Sequence, residues 1–183
     1  SFADWSPAKR LTWKTGMSAR PAPAIDSDDT IHVVWEDSTP GNYEIYYKKS
    51  TDAGTTWSSA KRLTWTSGWS QNPAMAIEAS DIIHIVWEDD TPGNKEIFYR
   101  KGIYEKDKVS ETFIWSAPKR LTWNAGTSSR PVVAVAPSQD IHVVWQDQTP
   151  GNNEIYYKKS TDEGATWSGV KRLSWTSDAS LAH

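Results

Sequence analysis

A chain of 183 residues is long enough for one domain with a sizeable core, and its twelve Trp and seven Tyr, set among short Val, Ile and Thr runs, are the vocabulary of half-buried strands. A net charge of −3 with interspersed signs offers no field for nucleic acid or an anionic membrane, and no run approaches the roughly 18 apolar residues of a spanning helix. With no cysteine there is neither disulfide nor thiolate metal site, and the opening residues lack the basic and apolar regions of a signal peptide, so a soluble chain is expected.

In chain order, WSPAKRLTW at residues 5–13 comes first. Its KRLTW returns from Lys61 and Lys119 and, as KRLSW, from Lys171, at spacings of 52, 58 and 52 residues. The first full unit predicts a short strand after Arg20-Pro21 carrying Ala22, Ala24 and Ile25, then IHVVW from Ile31, EIYYKK from Glu44, and a fourth strand from Trp57 to near Trp65. TPGN between the second and third strands fixes φ at Pro40 and offers a left-handed residue at Gly41 or Asn42. The second unit repeats this with Asn72-Pro73, Ala74 to Ile77, IHIVW from Ile83 and EIFYRK from Glu96. It then departs: Gly102 to Trp115 is six residues longer and charged, predicting an exposed loop that touches something else. The third unit has Arg130-Pro131, Val132 to Val135, IHVVW from Ile141 and EIYYKK from Glu154, and the closing TSDASLAH matches the TSGWSQNP that leads into a first strand.

Alternation places Ile31, Val33 and Trp35 on one side of the second strand and His32, Val34 and Glu36 on the other. A sheet apolar on both faces must be sandwiched, and its own copies are the obvious covers. The reading is all-β: β-propeller blades of four antiparallel strands, three complete blades per chain plus partial blade ends. Residues 1–13 form the outer strand of a partial blade, 14–65, 66–123 and 124–175 form blades 1 to 3, and 176–183 start a further blade or form a tail.

Ser50, Asp52, Gly54, Thr56 and Trp57, and again Ser160, Asp162, Gly164, Thr166 and Trp167, spell S-x-D-x-G-x-T-W. This resembles the Asp-box, or bacterial neuraminidase repeat, of sialidase-like propellers; the second unit lacks it. The resemblance implies a structural turn between the third and fourth strands, on the face away from the family's catalytic site, and a secreted or cell-surface protein. Sialidases resemble six-bladed rings, so two chains of three blades predict a homodimer. The N-terminal strand is then one more than that ring needs.

His32, His84 and His142 recur at equivalent places, but on separate blades too far apart to share a metal, so inter-blade hydrogen bonding is expected. Glu36, Asp37, Glu88, Asp89, Asp90 and Asp147 follow the second strands; Glu36 and Asp37 point to opposite faces and cannot form a retaining glycosidase's facing pair. Turn capping, inter-blade bonding and contact with a cation or sugar hydroxyl stay open for them. The resemblance gives Arg20 and Arg130 a carboxylate-binding role, but the family's arginine triad is incomplete and no Tyr and Glu nucleophile pair stands outside the repeat. Trp13, Trp65 and Trp123 are expected near these residues, either as aromatic platforms or buried between blades. No catalytic residue, metal or cofactor is assigned. The function expected is a noncatalytic module binding a glycan or protein ligand; a sialidase-like hydrolase fragment and a purely architectural fragment are the alternatives.

Overall fold

The computed structural model describes residues 7–104 and 113–175. The further unit expected at 176–183, the tip of the insertion at 105–112 and the first six residues of the N-terminal strand lie outside the described residues. Blade 1 contains β1 (Ser18–Ile25), β2 (Ile31–Asp37), β3 (Glu44–Ser50) and β4 (Lys61–Arg62). Blade 2 contains β5 (Ser70–Ile77), β6 (Ile83–Asp89), β7 (Glu96–Tyr104), β8 (Phe113–Trp115) and β9 (Lys119–Arg120), and blade 3 contains β10 (Ser128–Val135), β11 (Ile141–Asp147), β12 (Glu154–Ser160) and β13 (Lys171–Arg172). Each sheet is antiparallel with its strands in sequence order, β7 pairing with both β8 and β9, and no helix forms among the described residues.

The TPGN turns set the register. Asp37 faces Glu44 and Ile31 faces Ser50, and the same pairing recurs from Asp89 with Glu96 and from Asp147 with Glu154. The left-handed residue falls on the glycine each time, with φ of 108°, 109° and 99° at Gly41, Gly93 and Gly151.

Two strand readings are corrected. The first strand begins at Ser18, before Arg20-Pro21, and runs through a register shift between Ala19 and Ala22. The fourth is a two-residue pairing rather than a continuous strand from Trp57 to Trp65. Serine and threonine hydroxyls replace the missing ladder bonds: Lys49 N–H donates to Ser58 Oγ and Ile45 N–H to Thr64 Oγ1, while Leu63 N–H returns to Ile45 O.

The core lies between blades. Val34, Ile45, Tyr47 and Leu63 on the forward face of blade 1 meet Ile83, Ile85 and Trp87 on the rear face of blade 2. Val86, Ile97, Tyr99 and Leu121 meet Ile141, Val143 and Trp145 of blade 3 in the same way. At each joint the third strand of the later blade reaches back to the earlier fourth strand, through Arg100 to Leu63 O and through Lys158 Nζ to Leu121 O at 2.7 Å. β5 packs against both β1 and β10, whereas β1 and β10 make no comparable contact among the described residues: the three blades form an open arc.

Candidate functional site

The register shift in each first strand places Arg20, Asn72 and Arg130 at φ of 49°, 50° and 51°, a left-handed conformation held just before a proline. Such a residue costs about 1–3 kcal/mol unless its surroundings demand it. The register shift sets the conformation in all three blades, and in two of them the preceding blade supplies a partner for the N–H it turns outward. Asn72 N–H donates to Glu36 Oε2 at 2.9 Å, and Arg130 N–H donates to Glu88 Oε2 at 2.8 Å.

These bulges line a cleft of about 580 Å³ that spans all three blades, with Arg20, Asn72, Glu88, Asp90, Lys95, Arg130, Gln146 and Asn153 on its walls. Glu88 on its wall and Glu36, buried behind Arg20, are both occupied. Glu36 Oε1 accepts from Arg20 Nη1 at 2.5 Å and Glu88 Oε1 from Lys95 Nζ at 2.6 Å, both carboxyls being buried. In blade 3 the place of Glu36 is taken by Gln146, and the Arg130 guanidinium makes no hydrogen bond or ion pair among the described residues. The cleft therefore offers one guanidinium without an ion-pair partner, alongside the paired Glu88 and Lys95, Asp90, and several amides and hydroxyls.

The aspartates after the second strands have a different role. Asp37 accepts from Ser18 Oγ at 2.7 Å, Thr39 N–H at 2.9 Å and Trp35 Nε1 at 3.3 Å; Asp147 repeats this with Ser128, Thr149 and Trp145, and Asp89 with Ser70 and Thr91. Burial pushes Asp37 and Asp147 upward, but these donors outweigh it and hold both below the ordinary carboxylate range. Asp90, on the cleft wall, accepts from Trp69 N–H at 2.6 Å.

Trp13, Trp65 and Trp123 are not among the cleft's lining residues and are not buried between blades. They are 66, 65 and 65% exposed, each with the arginine three residues earlier placed over its ring: Arg10 at 6.0 Å, Arg62 at 5.6 Å and Arg120 at 5.7 Å. Trp175 with Arg172 at 5.8 Å is a fourth such pair. Trp65 borders a separate, mostly apolar groove of about 530 Å³ with Thr91, Pro92 and Pro118.

On the opposite face, Ser50 Oγ donates to Asp52 Oδ1 at 2.8 Å and Asp52 accepts from Thr56 N–H at 2.7 Å and Thr56 Oγ1 at 2.6 Å. Ser160, Asp162 and Thr166 repeat the arrangement. These bonds lower both aspartates to about 2. Trp57 Nε1 closes the first turn on Gly54 O at 3.1 Å, while Trp167 packs edge-on against Tyr99 of blade 2 at 5.1 Å. The repeated histidines bond a tyrosine of their own blade, His32 to Tyr47, His84 to Tyr99 and His142 to Tyr157, each at 2.8 Å.

Glu44, Glu96 and Glu154 escaped the sequence reading. All three are wholly buried and pair with Arg62 at 2.7 Å, Arg120 at 2.7 Å and Arg172 at 3.0 Å. The signal was the joint recurrence of Glu in EIYYKK and Arg in KRLTW, an acid and a base repeating in phase.

Three four-stranded sheets packed face to face around a shared cleft define an arc of a β-propeller. No family model matches the chain, and no curated protein does. Among solved structures it is similar to a protein of unknown function from Dyadobacter fermentans, with 16% identity and a TM-score of 0.62 over 85% of this chain and 50% of that one. The GH93 alpha-L-arabinofuranosidase of Fusarium graminearum, solved with arabinobiose, gives 17% identity and a TM-score of 0.62 over 88% of this chain and 50% of that one. A Hadza microbial sialidase gives 11% and 0.64 over 84% and 37%. Identities this low carry the fold alone: these are β-propeller glycoside hydrolases in the last two cases, and the chain spans half or less of each.

Proposed function

We propose that the chain is a propeller segment that binds its ligand without transforming it, and that the ligand presents an anionic group, such as an acidic sugar, to Arg130. The observation that carries this reading is the state of the cleft's charged groups. Glu36 and Glu88 are saturated by hydrogen bonds that hold the blades together, so neither is available to move a proton, while Arg130 has lost the acidic partner that Arg20 keeps. A guanidinium recognises a carboxylate in two parallel bonds, and the amides beside it suit hydroxyls. The exposed tryptophans, each backed by an arginine, add repeated apolar faces of the kind that stack on sugar rings. The S-x-D-x-G-x-T-W turns are read as Asp-boxes with a structural role.

Titration calorimetry with acidic and neutral oligosaccharides tests the reading. Binding of an acidic glycan is expected, lost at least tenfold in Arg130→Ala and equally in Gln146→Glu, which restores a carboxylate beside the guanidinium. Acidic-glycan affinity left unchanged in both variants would reject it. The glycosidase neighbours favour one rival, a hydrolase fragment. Turnover of a fluorogenic sialoside or arabinofuranoside that disappears in Arg20→Ala would establish that rival instead.

A further inference from the structure

The arc leaves the forward face of blade 3 open and the rear face of blade 1 only partly covered, and they are the two halves of a joint the chain already makes twice. The forward residues Val34, Ile45, Tyr47 and Leu63 of blade 1 correspond to Val144, Ile155, Tyr157 and Leu173 of blade 3, the same four side chains. Leu63 and Leu121 are 2 and 1% exposed, but Leu173 is 43%; Ile45 and Ile97 are 0%, but Ile155 is 38%. On the rear face of blade 1, Ile25 is 62% exposed, whereas its counterpart Ile77 packs into the joint between blades 1 and 2; Val33 and Trp35, at 9 and 5%, are already covered within the chain, beside Leu11 and Thr12.

We propose that the forward face of blade 3 docks on the rear face of blade 1 of a second copy of this chain, and that two such joints close a ring of two chains. Polar groups match as well as apolar ones. The internal joints take Glu36 or Glu88 to the bulge N–H of the next blade; the open joint offers Gln146, whose amide oxygen accepts equally, to the bulge N–H of Arg20. Trp115 meets Tyr47 at 5.2 Å and Trp167 meets Tyr99 at 5.1 Å, leaving Trp57 for the partner's Tyr157. A head-to-tail contact polymerises unless its rotation closes, and an arc that aligns with half of two known propellers has the span for closure in two.

The N-terminal segment marks where such a joint forms. Lys48 Nζ bonds Leu11 O at 2.8 Å, as Lys158 Nζ bonds Leu121 O, and Lys9 Nζ reaches the 54–55 turn as Lys119 Nζ reaches the 164–165 turn. Residues 9–12 thus already lie where the fourth strand of a preceding blade belongs, with Arg10 folded onto Thr12 O as Arg62 is onto Thr64 O. No third strand pairs with them among the described residues. The partner's β12 supplies it, including Glu154 for Arg10. KRLT and KRLS compete for one position at each joint, so residues 9–12 of one chain or β13 of the other is displaced there.

The test is solution mass by multi-angle light scattering on the 183-residue chain, wild type and with Ile155→Lys or Ile25→Lys. Both side chains face solvent in the single chain, so the variants keep the wild-type β-sheet circular dichroism. Wild type is expected at twice the chain mass, and each variant at half the wild-type value. A wild-type monomer up to about 100 µM, open-ended polymers, or a dimer that survives both substitutions would each overturn the proposal. Glycan binding in the monomeric variants is read separately, so failure here leaves the ligand reading standing.

Discussion

At the scale of single residues, the ionisable groups divide into those held neutral and those held charged, and pH separates them. Burial lowers His32 and His84, opposed by the nearby carboxyls of Asp26 and Glu78, so both histidines are neutral in the fold. The unfolded chain takes up protons on them near an ordinary pKa of ~6.5, so their contribution is complete above that pH and declines as the pH falls below it. Asp52 and Asp162 have the opposite sign: with folded values of about 2, their contribution is complete above the unfolded value and is lost only as the pH falls toward 2. Urea denaturation at a series of pH values should show two declines. His32→Gln is expected to shrink the one near pH 6 and to leave the acid one intact, whereas Asp52→Asn should shrink only the acid one. A single decline below pH 4, unchanged by His32→Gln, would contradict this division.

At the scale of elements, the bulge before each proline links strand geometry to blade packing. Glu36→Ala removes the acceptor of the partly buried Asn72 N–H and the partner of the half-exposed Arg20 guanidinium, and is expected to cost about 1 kcal/mol, whereas Glu36→Gln keeps an acceptor and should cost less. Asn72→Val places a β-branched residue at φ of 50° and is expected to cost at least about 1–2 kcal/mol. Urea midpoints with an unchanged slope give both numbers; equal midpoints for the two Glu36 variants would show that the acceptor is not what matters. The second and third strands and their turns were legible because alternation and TPGN are local signals. The bulge was not: Arg-Pro reads as an entry into a strand, and the left-handed residue there comes with a register shift between paired strands that nothing local in the sequence announces. The fourth strands were overread for a related reason. Ser58 and Thr64 look like ordinary strand residues in sequence, yet their hydroxyls take ladder bonds and leave only Lys61 and Arg62 paired by backbone. The candidate site was half legible, since Arg20 and Arg130 line one cleft, but Asp37 and Asp147 hold turns within their own blades and the tryptophans stand elsewhere.

At the scale of the molecule, repeats that contact only their neighbours divide stability between intrinsic and interface contributions, so a blade with both faces covered resists opening more than one with a single covered face. The burial of the second strands shows the gradient directly. Every residue of β6 is buried, whereas in β11 the forward-facing His142, Val144 and Gln146 are all partly exposed. Hydrogen exchange on the Ile155→Lys chain is therefore expected to be slowest in β6 and β7 and at least tenfold faster in β11 and β12, even though their sequences and registers nearly coincide. That contrast isolates packing from propensity, because Ile141 to Ser160 repeats the strands of Ile83 to Gly102 at 13 of 20 positions. In a wild-type assembly the uncovered face is gone, and β12 should slow toward β7 while β6 stays as it was. Equal exchange in β7 and β12 of the monomeric variant would mean that each sheet stands on its own pairing, and the dependence of one blade on the next would have to be abandoned.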